Sequence, residues 1–125
     1  MNVVDSSAWL EYFAGGRNAA FFASAIENVS ELVVPTLSLY EVFKRVAQQR
    51  AESDALQAIA AMQQGRVVNL DAGIALGAAR LSLAYQLPLV DSVMLATALD
   101  CEASLWTQDA HFKGIPGVKY VKSSG

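Results

Sequence analysis

The sequence predicts an α/β domain of three layers, in which helices cover both faces of a mostly parallel β-sheet. Short apolar runs of strand length alternate with longer segments whose apolar residues recur at helical spacing, and this alternation is typical of parallel sheets. In addition, 54% of the 125 residues are hydrophobic and only 17% are charged, which excludes a disordered chain. We therefore expect a single domain over residues 1–125, with a frayed tail at 122–125.

Each predicted strand is a short apolar run that ends at a residue unsuited to continue it. The first run leads into Asp5. The second stops at Pro35, which has no backbone N–H to donate to a sheet. Gly114 and Gly117 mark a turn before the last strand. The predicted strands are 1–4, 32–34, 66–70, 104–107 and 118–121.

The predicted helices begin at residues that can cap them. Ser6 and Ser7 can cap the first helix and Asp71 the fifth, because short polar side chains accept hydrogen bonds from the first N–H groups of a helix. Pro88 predicts an extended segment around it, after which Asp91 opens the sixth helix. The predicted helices are 6–13, 18–28, 36–50, 52–64, 71–85 and 91–99.

The net charge of −3 has the wrong sign for a protein that binds nucleic acid by general electrostatic attraction. This objection weakens if several acids bind a metal, since a divalent ion inverts the local field. The single cysteine, Cys101, allows no internal disulfide and is expected in the core. The only histidine, His111, is expected to be a turn or packing residue. We expect a cytoplasmic protein without a signal sequence, and no apolar run approaches the roughly 20 residues of a membrane span.

Four acidic residues fall at corresponding positions of the predicted sheet. Asp5 follows the first strand, and Asp109 lies two residues beyond the fourth. Glu41 lies one turn into the third helix, and Asp91 lies at the start of the sixth. The carboxyl ends of parallel strands and the starts of the following helices share one edge of a sheet, so we expect these carboxylates to lie together. They would repel one another without a cation, and oxygen ligands alone suit Mg²⁺ or Mn²⁺.

Each acid also has an interpretation that involves no chemistry. Asp5 and Asp91 could cap their helices, and Glu41 could form a surface ion pair with Arg45. Asp109 could form an Asx turn. Asp91 is the hardest to explain in this way, because it shares a helix face with apolar residues that should be buried, where an unpaired carboxylate is costly.

Four short segments contain these acids and follow one another at regular places in the fold. They are Asp5-Ser6-Ser7, Glu41 within an early helix, Leu87-Pro88-Leu89-Val90-Asp91, and Thr107-Gln108-Asp109-Ala110-His111-Phe112. Together they resemble the pattern of PIN-domain nucleases, over residues 1 to about 121. The subgroup that the chain resembles most is the VapC-type toxin of prokaryotic toxin–antitoxin pairs.

The resemblance implies a sheet with the first strand at its centre and a Mg²⁺- or Mn²⁺-dependent endoribonuclease. It further implies an RNA substrate, a homodimer, and a small cognate antitoxin that inserts a segment near the site. The site that it implies has catalytic and metal-binding acids at Asp5, Glu41, Asp91 and Asp109, with supporting hydroxyls from Ser6 and Thr107.

Two other interpretations are compatible with parts of the sequence. A receiver-type phosphoacceptor domain shares the length and the Mg²⁺ chemistry, with Asp5, Asp71, Thr107 and Lys119 in its roles. That design has paired acids after the first strand, where this chain has Asp5-Ser6, and it leaves Asp91 without a role. The second alternative is a non-catalytic binding module that keeps the same fold and uses the acids only as caps.

Overall fold

A five-stranded sheet with the first strand at its centre organises the computed structural model, which describes residues 1–123. The strands are β1 Asn2–Val4, β2 Leu32–Pro35, β3 Arg66–Val68, β4 Ser104–Thr107 and β5 Val118–Tyr120. Their order across the sheet is β3-β2-β1-β4-β5, and each neighbouring pair is parallel. A receiver-type sheet has the order β2-β1-β3-β4-β5. The topology therefore contradicts the receiver interpretation.

Within residues 1–123, six α-helices connect the strands and cover both faces of the sheet. They are α1 Ser6–Ala14, α2 Ala19–Ile26, α3 Thr36–Gln49, α4 Glu52–Met62, α5 Ala72–Tyr85 and α6 Leu89–Asp100. Successive side chains of a strand point to opposite faces, and β1 shows the result. Val4 packs in a core with α1 to α4, whereas Val3 packs in a second core with α6. The helix α5 packs on α6. Helices therefore cover both faces of the sheet, and the three-layer α/β prediction is confirmed.

The start of α1 differs from the prediction. Asp5 caps the helix, since its Oδ1 accepts a hydrogen bond from the backbone N–H of Ala8 at 3.0 Å. The cap position requires extended backbone, and Asp5 has it (φ −75°, ψ 170°), whereas Ser6 and Ser7 are already helical. The prediction that the two serines cap the helix was wrong.

The start of α6 also differs, because the helix begins at Leu89 rather than at Asp91. Pro88 precedes it with φ −59°, which is close to the helical value. A proline restricts the residue before it and is well suited to the start of a helix. The extended segment predicted through Val90 was therefore wrong. Asp91 lies inside the first turn of α6, where no cap position holds its side chain.

Two further findings concern Asp71 and the end of the chain. The Asp71 cap is confirmed, since its Oδ1 accepts a hydrogen bond from Ile74 N at 2.9 Å. The carbonyl oxygen of Lys122 accepts one from Asn18 Nδ2 at 3.0 Å. The predicted frayed tail therefore does not include Lys122, and its last two residues, 124 and 125, lie outside the described residues.

Across residues 1–123, no single helix is long and apolar enough to cross a membrane. By length and composition, α5 and α6 pass that test only as a pair, bent by 116° at their junction.

Candidate active site

The four acids singled out in the sequence line one cavity beside the carboxyl ends of β1 and β4. Its volume is about 270 Å³, and its lining consists of Asp5, Ser6, Ser7, Leu10, Glu41, Arg45, Asp91, Met94 and Asp109. A larger cavity of about 600 Å³ lies along α3 and α4, but its lining is mostly apolar and contains no carboxylate. Among the cavities of residues 1–123, the smaller one brings all four of these acids together.

Asp5 is the most deeply placed of the four acids, with 3% of its surface exposed. Its Oδ1 accepts hydrogen bonds from Ser7 Oγ at 2.8 Å and from Ala8 N, and its Oδ2 accepts one from Thr107 Oγ1 at 2.7 Å. Burial raises the pKa of Asp5 from 3.8 to about 6, although these hydrogen bonds act in the opposite direction. A nearby cation would lower this pKa again. Asp5 thus has a fixed orientation, and a cation beside it would stabilise its charged form.

Thr107 connects the acid of the first strand to the acid after the fourth. It is fully buried at the end of β4, which pairs with β1. Its hydroxyl donates to Asp5 and accepts a hydrogen bond from the backbone N–H of Asp109 at 2.9 Å. Thr107 therefore lies behind the cavity as a positioning group, while Ser6 lies in the cavity lining.

Asp109 and Asp91 share a contact with His111 that the sequence did not predict. Asp109 begins the 3₁₀ helix Ala110–Phe112, and its Oδ1 accepts a hydrogen bond from His111 N at 2.9 Å. The ring atom His111 Nδ1 lies 2.9 Å from Asp91 Oδ2 and 3.3 Å from Asp109 Oδ1. Burial raises the pKa of Asp91, and the hydrogen bond from His111 opposes this shift. That same bond raises the pKa of His111.

The prediction that His111 is a turn or packing residue is confirmed for its backbone. Its backbone does form a turn, but its side chain is exposed and contacts two acids of the cavity. The contact of its side chain with Asp91 depends on the path of the chain after β4, so no local feature of the sequence predicts it.

Glu41 does not form the surface ion pair with Arg45 that was considered as its structural role. It lies on α3 and lines the cavity together with Arg45. Among the ion pairs of residues 1–123, none joins Glu41 to Arg45. The Glu41 carboxylate and the Arg45 guanidinium are both available to a ligand that enters the cavity.

Side chains in and beside the cavity form a donor set that suits a divalent metal ion. Asp91 and Asp109 of the cavity lining and the neighbouring His111 each offer a ligand atom, and these three atoms lie within 4.8 Å of one another. Ser6 is 9% exposed, and its buried Oγ has no hydrogen-bond partner in residues 1–123. A buried hydroxyl without a partner is costly, and a hydrated ion in the cavity would offer it one.

The chain matches the model of the PIN domain over residues 3–118, which is nearly its whole length. The chain belongs to the PIN-domain family. Nuclease activity is typical of this family, whose nucleases depend on divalent metal ions. There is no significant match among curated protein sequences.

Several solved structures share this PIN fold. A toxin–antitoxin complex from Klebsiella pneumoniae contains a chain with a TM-score of 0.80 and 24% identity, over 95% of this chain and 96% of that one. The sarcin–ricin loop cleaving toxin VapC20 of Mycobacterium tuberculosis has a TM-score of 0.76 and 15% identity, over 93% of this chain and 95% of that one. DNA-bound VapBC of Salmonella typhimurium contains a chain with a TM-score of 0.73 and 16% identity, over 97% of this chain and 96% of that one. At these identities, the similarity shows a common fold.

Proposed function

We propose that this PIN-domain protein is a divalent-metal-dependent endoribonuclease and the toxin of a toxin–antitoxin pair. The observation that carries the proposal is the convergence of four carboxylates, from four separate elements, on one cavity. Carboxylates this close together repel one another unless a cation compensates their charge. Such clusters of acids are typical of metal-dependent sites. The similarity in fold to toxins, one of which is described as cleaving the sarcin–ricin loop, supports RNA as the substrate.

In this proposal, the residues of the cavity divide into ligands and positioning groups. The ion, Mg²⁺ or Mn²⁺, would be held by Asp5, Glu41, Asp91 and Asp109. When bound, it would supply a water nucleophile at neutral pH and neutralise charge on the scissile phosphate. Thr107 keeps one Asp5 oxygen fixed, and Ser6 offers its hydroxyl to the ion's hydration shell or to the substrate.

A small basic region beside the cavity offsets the unfavourable net charge. A groove of about 210 Å³ is lined by Tyr40, Glu41, Lys44, Arg45 and Gln48, so it shares Glu41 and Arg45 with the acidic cavity. Both cationic side chains are exposed. We infer that Arg45 binds a phosphate next to the scissile one, because its planar guanidinium is well matched to phosphate oxygens.

Arg45→Gln should weaken RNA binding and make it less dependent on salt. The loss of one phosphate contact reduces the slope of log affinity against log salt concentration by about one. Fluorescence anisotropy with labelled RNA in an Asp5→Asn background, which prevents cleavage, measures both quantities. Arg80→Gln, the same charge change on the opposite side of the sheet, is the matched control. Equal slopes for the two variants would contradict this role of Arg45.

The partners in this proposal are a small antitoxin and a second copy of the chain, in the cytoplasm. Structures with the same fold include toxin–antitoxin complexes. Large apolar side chains are exposed on α5 and at the start of α6, with exposed fractions of 63% for Leu76, 81% for Leu83 and 73% for Leu89. Apolar surface of this kind is typical of a binding surface, and a homodimer or an antitoxin would cover it.

Incubation of the purified protein with total cellular RNA tests the activity. We expect cleavage with Mn²⁺ or Mg²⁺, no cleavage with a chelator, and recovery when metal is restored. Glu41→Gln should lose most of the activity and keep the far-UV circular dichroism spectrum of the wild type. A protein that binds no metal and cuts no RNA would favour the non-catalytic module, and cleavage unaffected by chelation would place the active site elsewhere.

A further inference from the structure

We propose that His111 supplies a nitrogen ligand to the bound ion, beside Asp91 and Asp109, and that the site therefore prefers Mn²⁺ or another first-row transition metal ion to Mg²⁺. This inference depends on the proposed function to the extent that the acidic cavity binds a metal. It adds a residue to the site and names the class of ion.

The spacing of the three side chains fits adjacent positions around one octahedral ion. Ligand atoms about 2.1 Å from such an ion are roughly 3.0 Å apart when they occupy neighbouring positions. His111 Nδ1 lies 2.9 Å from Asp91 Oδ2 and 3.3 Å from Asp109 Oδ1. The spacing of these three atoms is therefore compatible with one ion bound to all of them.

The position of His111 is set by the chain around it. Its backbone N–H donates to Asp109 Oδ1, and the next residue, Phe112, is fully buried in the core with α6. The contact with Asp91 therefore joins the segment after β4 to the first turn of α6.

Stability alone explains the contact poorly. The His111 side chain is 57% exposed, and an ion pair exposed to this degree contributes little to folding. The buried Phe112 already anchors the segment. The geometry is thus better accounted for by a role at the cavity than by a role in holding the fold.

The chemistry of imidazole determines which ion benefits. Imidazole nitrogen is a common ligand of first-row transition metal ions, whereas Mg²⁺ strongly prefers oxygen and retains its water ligands. A site with only carboxylates would bind either ion through the same groups. With His111 as a ligand, Mn²⁺ gains a bond that Mg²⁺ forms less readily.

The sign of a change in metal affinity distinguishes a ligand from a counter-ion. If His111 only neutralised Asp91 and Asp109 as a cation, an incoming metal would have to displace it, and His111→Gln would bind Mn²⁺ as tightly as the wild type or more tightly. If His111 is a ligand, the same variant loses a bond to the ion. The backbone hydrogen bond to Asp109 is retained in either case.

Isothermal titration calorimetry of the full chain at about pH 8 measures both affinities. For His111→Gln we expect Mn²⁺ affinity to fall about tenfold or more, with a much smaller change for Mg²⁺. Lys113→Gln, which removes a cation from the same segment, should retain the Mn²⁺ affinity of the wild type. Thermal unfolding of the metal-free variants checks that both are folded.

A spectroscopic measurement tests the bond itself. Electron spin-echo envelope modulation of the Mn²⁺-loaded wild type should show coupling to a nitrogen nucleus, and His111→Gln should lack it. Mn²⁺ binding without nitrogen coupling, or with unchanged affinity in His111→Gln, would overturn the inference and leave the acidic site intact. If neither ion binds the wild type, the proposed function fails as well, so the two failures are distinct.

Discussion

Asp5→Asn is expected to reduce metal-dependent RNA cleavage by two orders of magnitude or more, roughly the loss that follows removal of one group that stabilises transition-state charge. The Asp5 carboxylate lines the cavity and is held by three hydrogen bonds, so its charge has a fixed place there. Asparagine keeps the shape of the side chain but lacks the charge that the ion requires.

The fold should survive this substitution. The carbonyl oxygen of asparagine can still accept from Ser7 and from the backbone of Ala8, and its amide can donate to the Thr107 oxygen. The change also removes a carboxylate whose burial is unfavourable. Far-UV circular dichroism should match the wild type, while a gel assay of RNA cleavage shows the loss. Undiminished cleavage by Asp5→Asn would refute the four-acid site.

Mn²⁺ is expected to stabilise the wild-type protein strongly. An ion at about 100 times its dissociation constant adds about 2.7 kcal/mol to the free energy of unfolding, provided that it binds only the folded state. For a chain of this size, the melting temperature should rise by roughly 10 °C. Differential scanning calorimetry with and without Mn²⁺ measures the rise.

Asp91→Asn should reverse the usual pattern of a destabilising mutation. Without metal it should be as stable as the wild type or more so, because it removes one of several crowded and partly buried charges. With Mn²⁺ its stabilisation should be much smaller, because one ligand is lost. Asp71→Asn is the control, since Asp71 caps α5 outside the cavity lining, and its metal response should equal that of the wild type. A full response to Mn²⁺ in Asp91→Asn would exclude Asp91 as a ligand.

The strands, the layers and the grouping of the four acids follow from local features of the sequence. Apolar runs end at Asp5 and shortly before Asp109, and the geometry of parallel sheets brings such ends to one edge. The central place of β1 depends on pairing between distant segments, so periodicity does not determine it. The resemblance to PIN domains supplied that expectation, and the topology confirms it.

Two features of the site cannot be predicted from local sequence: the residue that caps α1 and the contact of His111. Asp5, Ser6 and Ser7 can all cap a helix, and the end of β1 decides between them by leaving Asp5 in extended backbone. The contact of His111 with Asp91 spans 20 positions and depends on the path of the chain after β4. A local pattern identifies the acids but not the imidazole that joins two of them.

The pairing of β1 with β4 determines when the acidic cavity can form. Val4 is opposite Trp106, so about a hundred residues must be made before the two strands can meet. Contacts between such distant segments are slow to form, because the intervening chain must first be ordered. Until β4 has docked, Asp5 lacks its Thr107 partner, and Asp109 is absent from the cavity. A growing or half-folded chain therefore lacks the complete acidic cavity.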